Sequence, residues 1–120
     1  MLALFILVFG VLLLLADAQA GAAAEVLQVA GPDRLLIGDR NRSSLVRLAC
    51  ITVDPADADA ARLWLRQQLP RHSKVNLRPL AEAEDGQLLA RVSPLEGASS
   101  GTDLSQGLLE AGLARPQPCG

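Results

Sequence analysis

The chain has 120 residues, half of them hydrophobic, with three aromatic side chains and eleven basic against thirteen acidic residues. That length leaves room for one small domain and excludes a second sizeable one. The slight acidic excess excludes a globally basic surface for phosphate binding, so any nucleic-acid role needs a local site.

In chain order, Met1 to Ala16 carry no charged side chain and end at Asp17. The following Ala18-Gln19-Ala20 has the small-x-small form that a signal peptidase accepts, with Ala22 to Ala24 offering a second cut. Residues 1–24 are therefore expected to be a signal peptide or an N-terminal membrane anchor through residues 1–16. The protein is then expected to be exported (periplasmic, secreted or lumenal), or held at a membrane by that segment. The two cysteines, Cys50 and Cys119, fit an oxidising compartment, where an even count suggests a bridge. The alternative is a buried Cys50 and a free Cys119 on the tail.

Glu25 to Ala30 alternate as a strand, Gly31 to Asp33 form a tight turn, and Arg34 to Gly38 form a second strand. Asp39 to Ser43 read as a polar hairpin loop, whose arginines form a local basic cluster with Arg34. Ser44 to Ile51 are a third strand. Asp54-Pro55 starts a helix running to Leu69, with Ala61, Trp64, Leu65 and Leu69 on one apolar stripe and Pro70 as its stop. Lys74 to Leu80 and Gln87 to Leu95 are the fourth and fifth strands. Asp103 caps a short helix, and Pro116 prevents it from continuing into the tail, residues 115–120. Five short strands with one main helix between strands 3 and 4 and a short C-terminal helix predict a mainly β (α+β) fold, an OB-type barrel over residues 25–114.

The wording of these segments resembles the staphylococcal nuclease (thermonuclease) family over Val26 to Ala114. "VLQVAGPDRLLI" is similar to the family's opening strand and turn, "VRLACI" to its arginine-bearing strand, "DGQLLARV" to its last barrel strand and "DLSQGLLEAGLA" to its Asn-x-x-Leu…Gly-Leu-Ala helix. Arg47-Leu48-Ala49-Cys50 also resembles an exported, cyanobacterial branch of that family. The resemblance implies calcium-dependent hydrolysis of DNA or RNA phosphodiesters. In such chemistry a carboxylate-bound cation polarises the phosphate, two arginines offset its developing charge and a glutamate handles the water.

In the family's register Asp33 matches the first metal-binding aspartate and Arg47 the first arginine. Thr52, Pro55 and Gln87 occupy the positions of the second aspartate, the glutamate and the second arginine. The turn's usual threonine is Arg34. A two-residue insertion after Arg47 would instead place Asp54 as metal ligand and Asp57 as catalytic carboxylate, with Arg34 or Arg91 standing in for the missing arginine. The simpler reading makes Asp54 a helix N-cap and Asp57 a first-turn residue suited to the macrodipole. The resemblance thus implies a nuclease whose activity is weakened or lost. The alternative is a non-catalytic OB module for single-stranded DNA or RNA, or for a protein partner, with Arg34 and Gln87 as ligand-binding residues. His72, the one histidine, reads as a solvated loop residue.

Overall fold

The computed structural model describes residues 24–82 and 85–119. The leader segment, apart from Ala24, lies outside the described residues, and so do two positions of the loop before Asp85.

Five strands form a closed barrel: β1 (Ala24–Gly31), β2 (Arg34–Asp39), β3 (Arg42–Leu48), β5 (Lys74–Glu82) and β6 (Leu88–Pro94). They follow one another around the barrel in the order β1-β2-β3-β6-β5, and β5 closes on β1 through Ala24↔Val75 and Glu25↔Lys74. All pairings are antiparallel except β3 with β6, which run parallel from Val46↔Leu88 to Leu48↔Ala90. A further bond from the Ala49 amide to the Ala90 carbonyl, 3.0 Å, extends that ladder. This is the mainly β, OB-type α+β barrel expected from the sequence.

Alternation drives the strands into place. Leu35 and Ile37 on β2, Val46 and Leu48 on β3, and Ala90 and Val92 on β6 are fully or almost fully buried, each two residues from the next. β1 breaks this rhythm. Its register shifts between Val26 and Gln28 and again between Val29 and Gly31. The first irregularity lets Val26 and Val29, three apart, both face the core and leaves Leu27 exposed. Bulges of this kind add local twist and help a short sheet to close.

The β2–β3 connection is tighter than the five-residue loop expected. Asp39 pairs with Arg42, so the turn is Arg40-Asn41 alone, with Arg40 at φ 58°. The third strand also ends earlier. After Leu48 the chain turns through Ala49 and Cys50, the latter at φ 67°, and resumes as the two-residue β4 (Ile51–Thr52). β4 pairs with β7 (Arg115–Pro116), so the tail continues past the second helix as a strand.

Pro55–Asp57 form a 3-10 turn that leads into α1 (Ala58–Gln68). Ala61, Leu65 and Leu69 are buried and Trp64 packs beside them, which is the stripe read from their spacing. α2 (Leu104–Glu110) starts at Asp103, whose carboxylate accepts a bond from the Gln106 amide. Leu104 and Leu108 carry its buried face into the same core. The two helices meet at Gly107, where an added Cβ would lie 2.5 Å from Trp64 Cη2. His72 is the exposed loop residue expected, in the turn between α1 and β5. It turns at φ 66°, and its Nδ1 pairs with Glu25 on β1.

Candidate phosphate site on the barrel face

Inward Leu35, Val46 and Leu48 leave Arg34 and Arg47 on the outer face of the barrel, directly opposite each other in the β2–β3 ladder. The ladder continues sideways. Arg47 pairs with Leu89 on β6, and Leu89 with Ala81 on β5. One register row, Arg34–Arg47–Leu89–Ala81, thus crosses four strands. These residues, with Glu82, Asp85 and Gln87 at the far end, line a cleft of ≈ 130 Å³. That is well below the ~300–1,000 Å³ of a pocket that encloses a whole small molecule. It has room for a phosphate-sized group.

Two arginines opposed across strands repel each other. Here the repulsion is offset from the turn that precedes β2. Asp33, only 15% exposed, sets Oδ2 3.6 Å from Arg47 Nε and Oδ1 3.9 Å from Arg34 Nε. Those distances permit charge attraction but are too long for hydrogen bonds. The turn is itself pinned, because the Leu48 amide donates to the Asp33 carbonyl at 2.8 Å. Asp33 therefore sits between two cations, and among the described residues no hydrogen bond engages their guanidinium N–H groups.

The structure brings Asp33, Arg34, Arg47 and Gln87 to this end of the barrel. Gln87 is committed locally: its amide N and Nε2 donate to Asp85 Oδ1 and Oδ2 at 3.2 and 2.7 Å. Its side chain ties down its own turn and makes no bond to either arginine. Arg34 does not cluster with Arg40 and Arg42, which lie at the opposite end of β2, roughly 17 Å away at ~3.4 Å per residue.

Asp54 and Asp57 serve elsewhere. Asp54 occupies the backbone N-cap position before the 3-10 turn but makes no side-chain cap bond. Its Oδ2 instead meets Arg115 Nη2 at 2.8 Å, on the tail. Asp57 closes the 3-10 turn, donates its amide to the Asp54 carbonyl at 2.9 Å, and stands at the N-cap of α1, where its charge suits the macrodipole. Arg91 is likewise engaged, with Nη1 donating to Asp103 Oδ2 at 2.8 Å. Among the described residues no three His, Cys, Asp or Glu side chains converge to hold a metal ion. Calcium takes six to eight oxygen ligands, whereas Asp33, matched to the metal aspartate, faces two guanidinium groups.

A wider groove of ≈ 440 Å³ lies past the end of α1, lined by Gln68, Arg71, His72 and Ser99 among others. Two of its polar contacts are internal, Ser99 with Gln68 and His72 with Glu25, and its charged Arg71 and Glu96 are of opposite sign.

Sequence reading missed the tail strand, the Arg115–Asp54 pair and the contact of Arg91 with Asp103. Each joins residues too far apart for a local pattern to reveal. Compared with models of known protein families and with curated protein sequences, the chain matches none of them.

Proposed function

We propose that this is a staphylococcal-nuclease-like OB barrel that holds a phosphate of single-stranded DNA or RNA at Arg34 and Arg47 and hydrolyses it weakly or not at all. The supporting observation is the opposed arginine pair, kept together by Asp33 and opening on a phosphate-sized cleft. Guanidinium groups suit this ligand because their planar forks match phosphate oxygens. The neighbouring Leu89 and Ala81 offer an apolar floor to an adjoining sugar or base. Weak hydrolysis follows from the carboxylates. Asp54 is spent on Arg115, Asp57 caps a helix, and Asp33 faces two cations. Of the two other carboxylates lining the cleft, Asp85 is bonded to Gln87, which leaves Glu82 as the one described group there that could serve as a base.

The test is binding of a labelled oligodeoxythymidine, followed by fluorescence anisotropy at low salt with chelator present. Replacing Arg47 by Ala is expected to weaken binding about tenfold, the order of one charge-assisted hydrogen bond, and to lower the salt slope by about one. Asp33→Asn should tighten binding several-fold, because it removes the carboxylate that competes with phosphate for both arginines. A metal-ligating Asp33 predicts the reverse: calcium-dependent cleavage of denatured DNA, lost in both variants. That result would replace the binding reading with a catalytic one. Absence of any oligonucleotide binding by the folded protein would overturn both.

A further inference from the structure

The tail is held to the barrel by one compact set of contacts. Arg115–Pro116 pair with Ile51–Thr52, and the Gln117 amide donates to the Cys50 carbonyl at 2.9 Å. Arg115 meets Asp54, and Cys119 is joined to Cys50 by a disulfide. Nothing in the phosphate site needs this strap, and the pairing between β4 and β7 is only two residues long on each side. The covalent bond is therefore the main fastening.

The bridge has unequal sulfurs. Arg91 lies beside it, with Nη2 3.4 Å from Cys50 Sγ and 3.9 Å from Cys119 Sγ. The same guanidinium is anchored through Nη1 to Asp103 Oδ2. Asp103 fixes the direction in which Nη2 points, and it also offsets part of the arginine's charge. Cys50 is partly buried in the turn between β3 and β4, whereas Cys119 is exposed. A cationic donor stabilises a thiolate and makes it a better leaving group. The accessible sulfur and the better leaving sulfur are thus different atoms.

We propose that Cys50–Cys119 is a redox-active latch, opened by a dithiol reductant at Cys119 with Cys50 as the leaving thiolate beside Arg91. In the first step a reductant thiolate attacks Cys119 Sγ. A reductant–Cys119 bond forms, the Cys50–Cys119 bond breaks, and its electron pair passes to Cys50 Sγ. The second thiolate of the reductant then attacks its own sulfur in the mixed disulfide, freeing Cys119 as a thiolate. The reductant leaves as a cyclic disulfide, having given up two electrons, and its two protons pass to solvent or to the cysteines. The strap is then tied only by the β4–β7 pairing and the exposed Arg115–Asp54 contact, so residues 115–119 detach and Asp54 loses its partner.

The full chain is treated with glutathione, quenched in acid and mapped by mass spectrometry. The adduct is expected on Cys119. An adduct mainly on Cys50, or shared equally, overturns the assignment. Reduction by dithiothreitol at fixed pH should be slowed about threefold or more in Arg91→Met, with a leaving-group effect of this size following from modest thiolate stabilisation. Arg91→Lys should restore most of the rate. Equal rates in all three proteins would remove Arg91 from the step. Should Arg91→Met fail to fold, the adduct's position in the unaltered chain decides the matter alone. Amide exchange at Gln117 and Thr52 should quicken on reduction while β2 and β3 stay protected. An unchanged exchange pattern would overturn release of the strap.

Discussion

Replacing Cys119 by Ser is expected to lower the unfolding free energy by about 2–4 kcal/mol, read as a fall in the urea midpoint. The bridge spans a sequence separation of 69 residues, and in the chain-entropy account a closed loop of that length restricts the unfolded ensemble by about 4 kcal/mol. The native state returns part of this. Without the bridge, the strap gains conformational freedom if β4 and β7 separate, which lowers the free energy of the variant's folded state. A loss near the upper figure therefore means that the strap stays seated. A loss near the lower one means that it detaches, as the latch requires. The matched Cys50→Ser variant should give a similar value, since either change removes the same constraint. Additional loss in that variant would report on the turn that Cys50 occupies at positive φ.

The second large effect is steric. Gly107→Ala should destabilise the protein by about 1–2 kcal/mol, although alanine is the better helix former by ~1 kcal/mol. The new methyl would sit 2.5 Å from Trp64 Cη2 and 2.9 Å from Cζ2, and overpacking of this kind costs about 1–3 kcal/mol or more. The indole is rigid, so it must tilt as a whole or push α1 away from α2. Trp64 is the sole tryptophan of the chain, and its emission should therefore shift to the red. The control is a double-mutant cycle. In a Trp64→Ala background the clash is gone and Gly107→Ala should become neutral or mildly stabilising. A destabilisation of the same size in both backgrounds would place its origin elsewhere.

Much of this architecture was legible because it is written in short periods. Leu35 and Ile37, Val46 and Leu48, and Ala90 and Val92 announce inward faces two residues apart, and Ala61, Leu65 and Leu69 announce a helix face. The row that carries the candidate site was legible in principle. A two-residue turn at Arg40-Asn41 fixes Asp39 opposite Arg42, and counting down the ladder brings Arg34 opposite Arg47. Reading the connection as a five-residue loop hid that register. The alternation of β1 could not be trusted past Val26, because a bulge changes which residues face inward without changing their chemistry. Asp54 shows another limit. Its position before Pro55 identified the helix entry, yet its carboxylate answers to Arg115, a residue that only the folded tail brings near. Charged side chains choose partners in space, and a local motif constrains only the backbone.

The parallel seam between β3 and β6 also sets a timetable. A chain made from its amino end first can build the β1–β2–β3 meander from neighbours alone. Both outer edges of that meander then stay bare: β1 waits for β5, and β3 for β6. Until residues 88–94 have been synthesised, two rows of backbone donors and acceptors are open to any passing strand. Aggregation is thus a hazard of the nascent chain more than of the finished barrel, and its window closes only when the last long strand enters the gap.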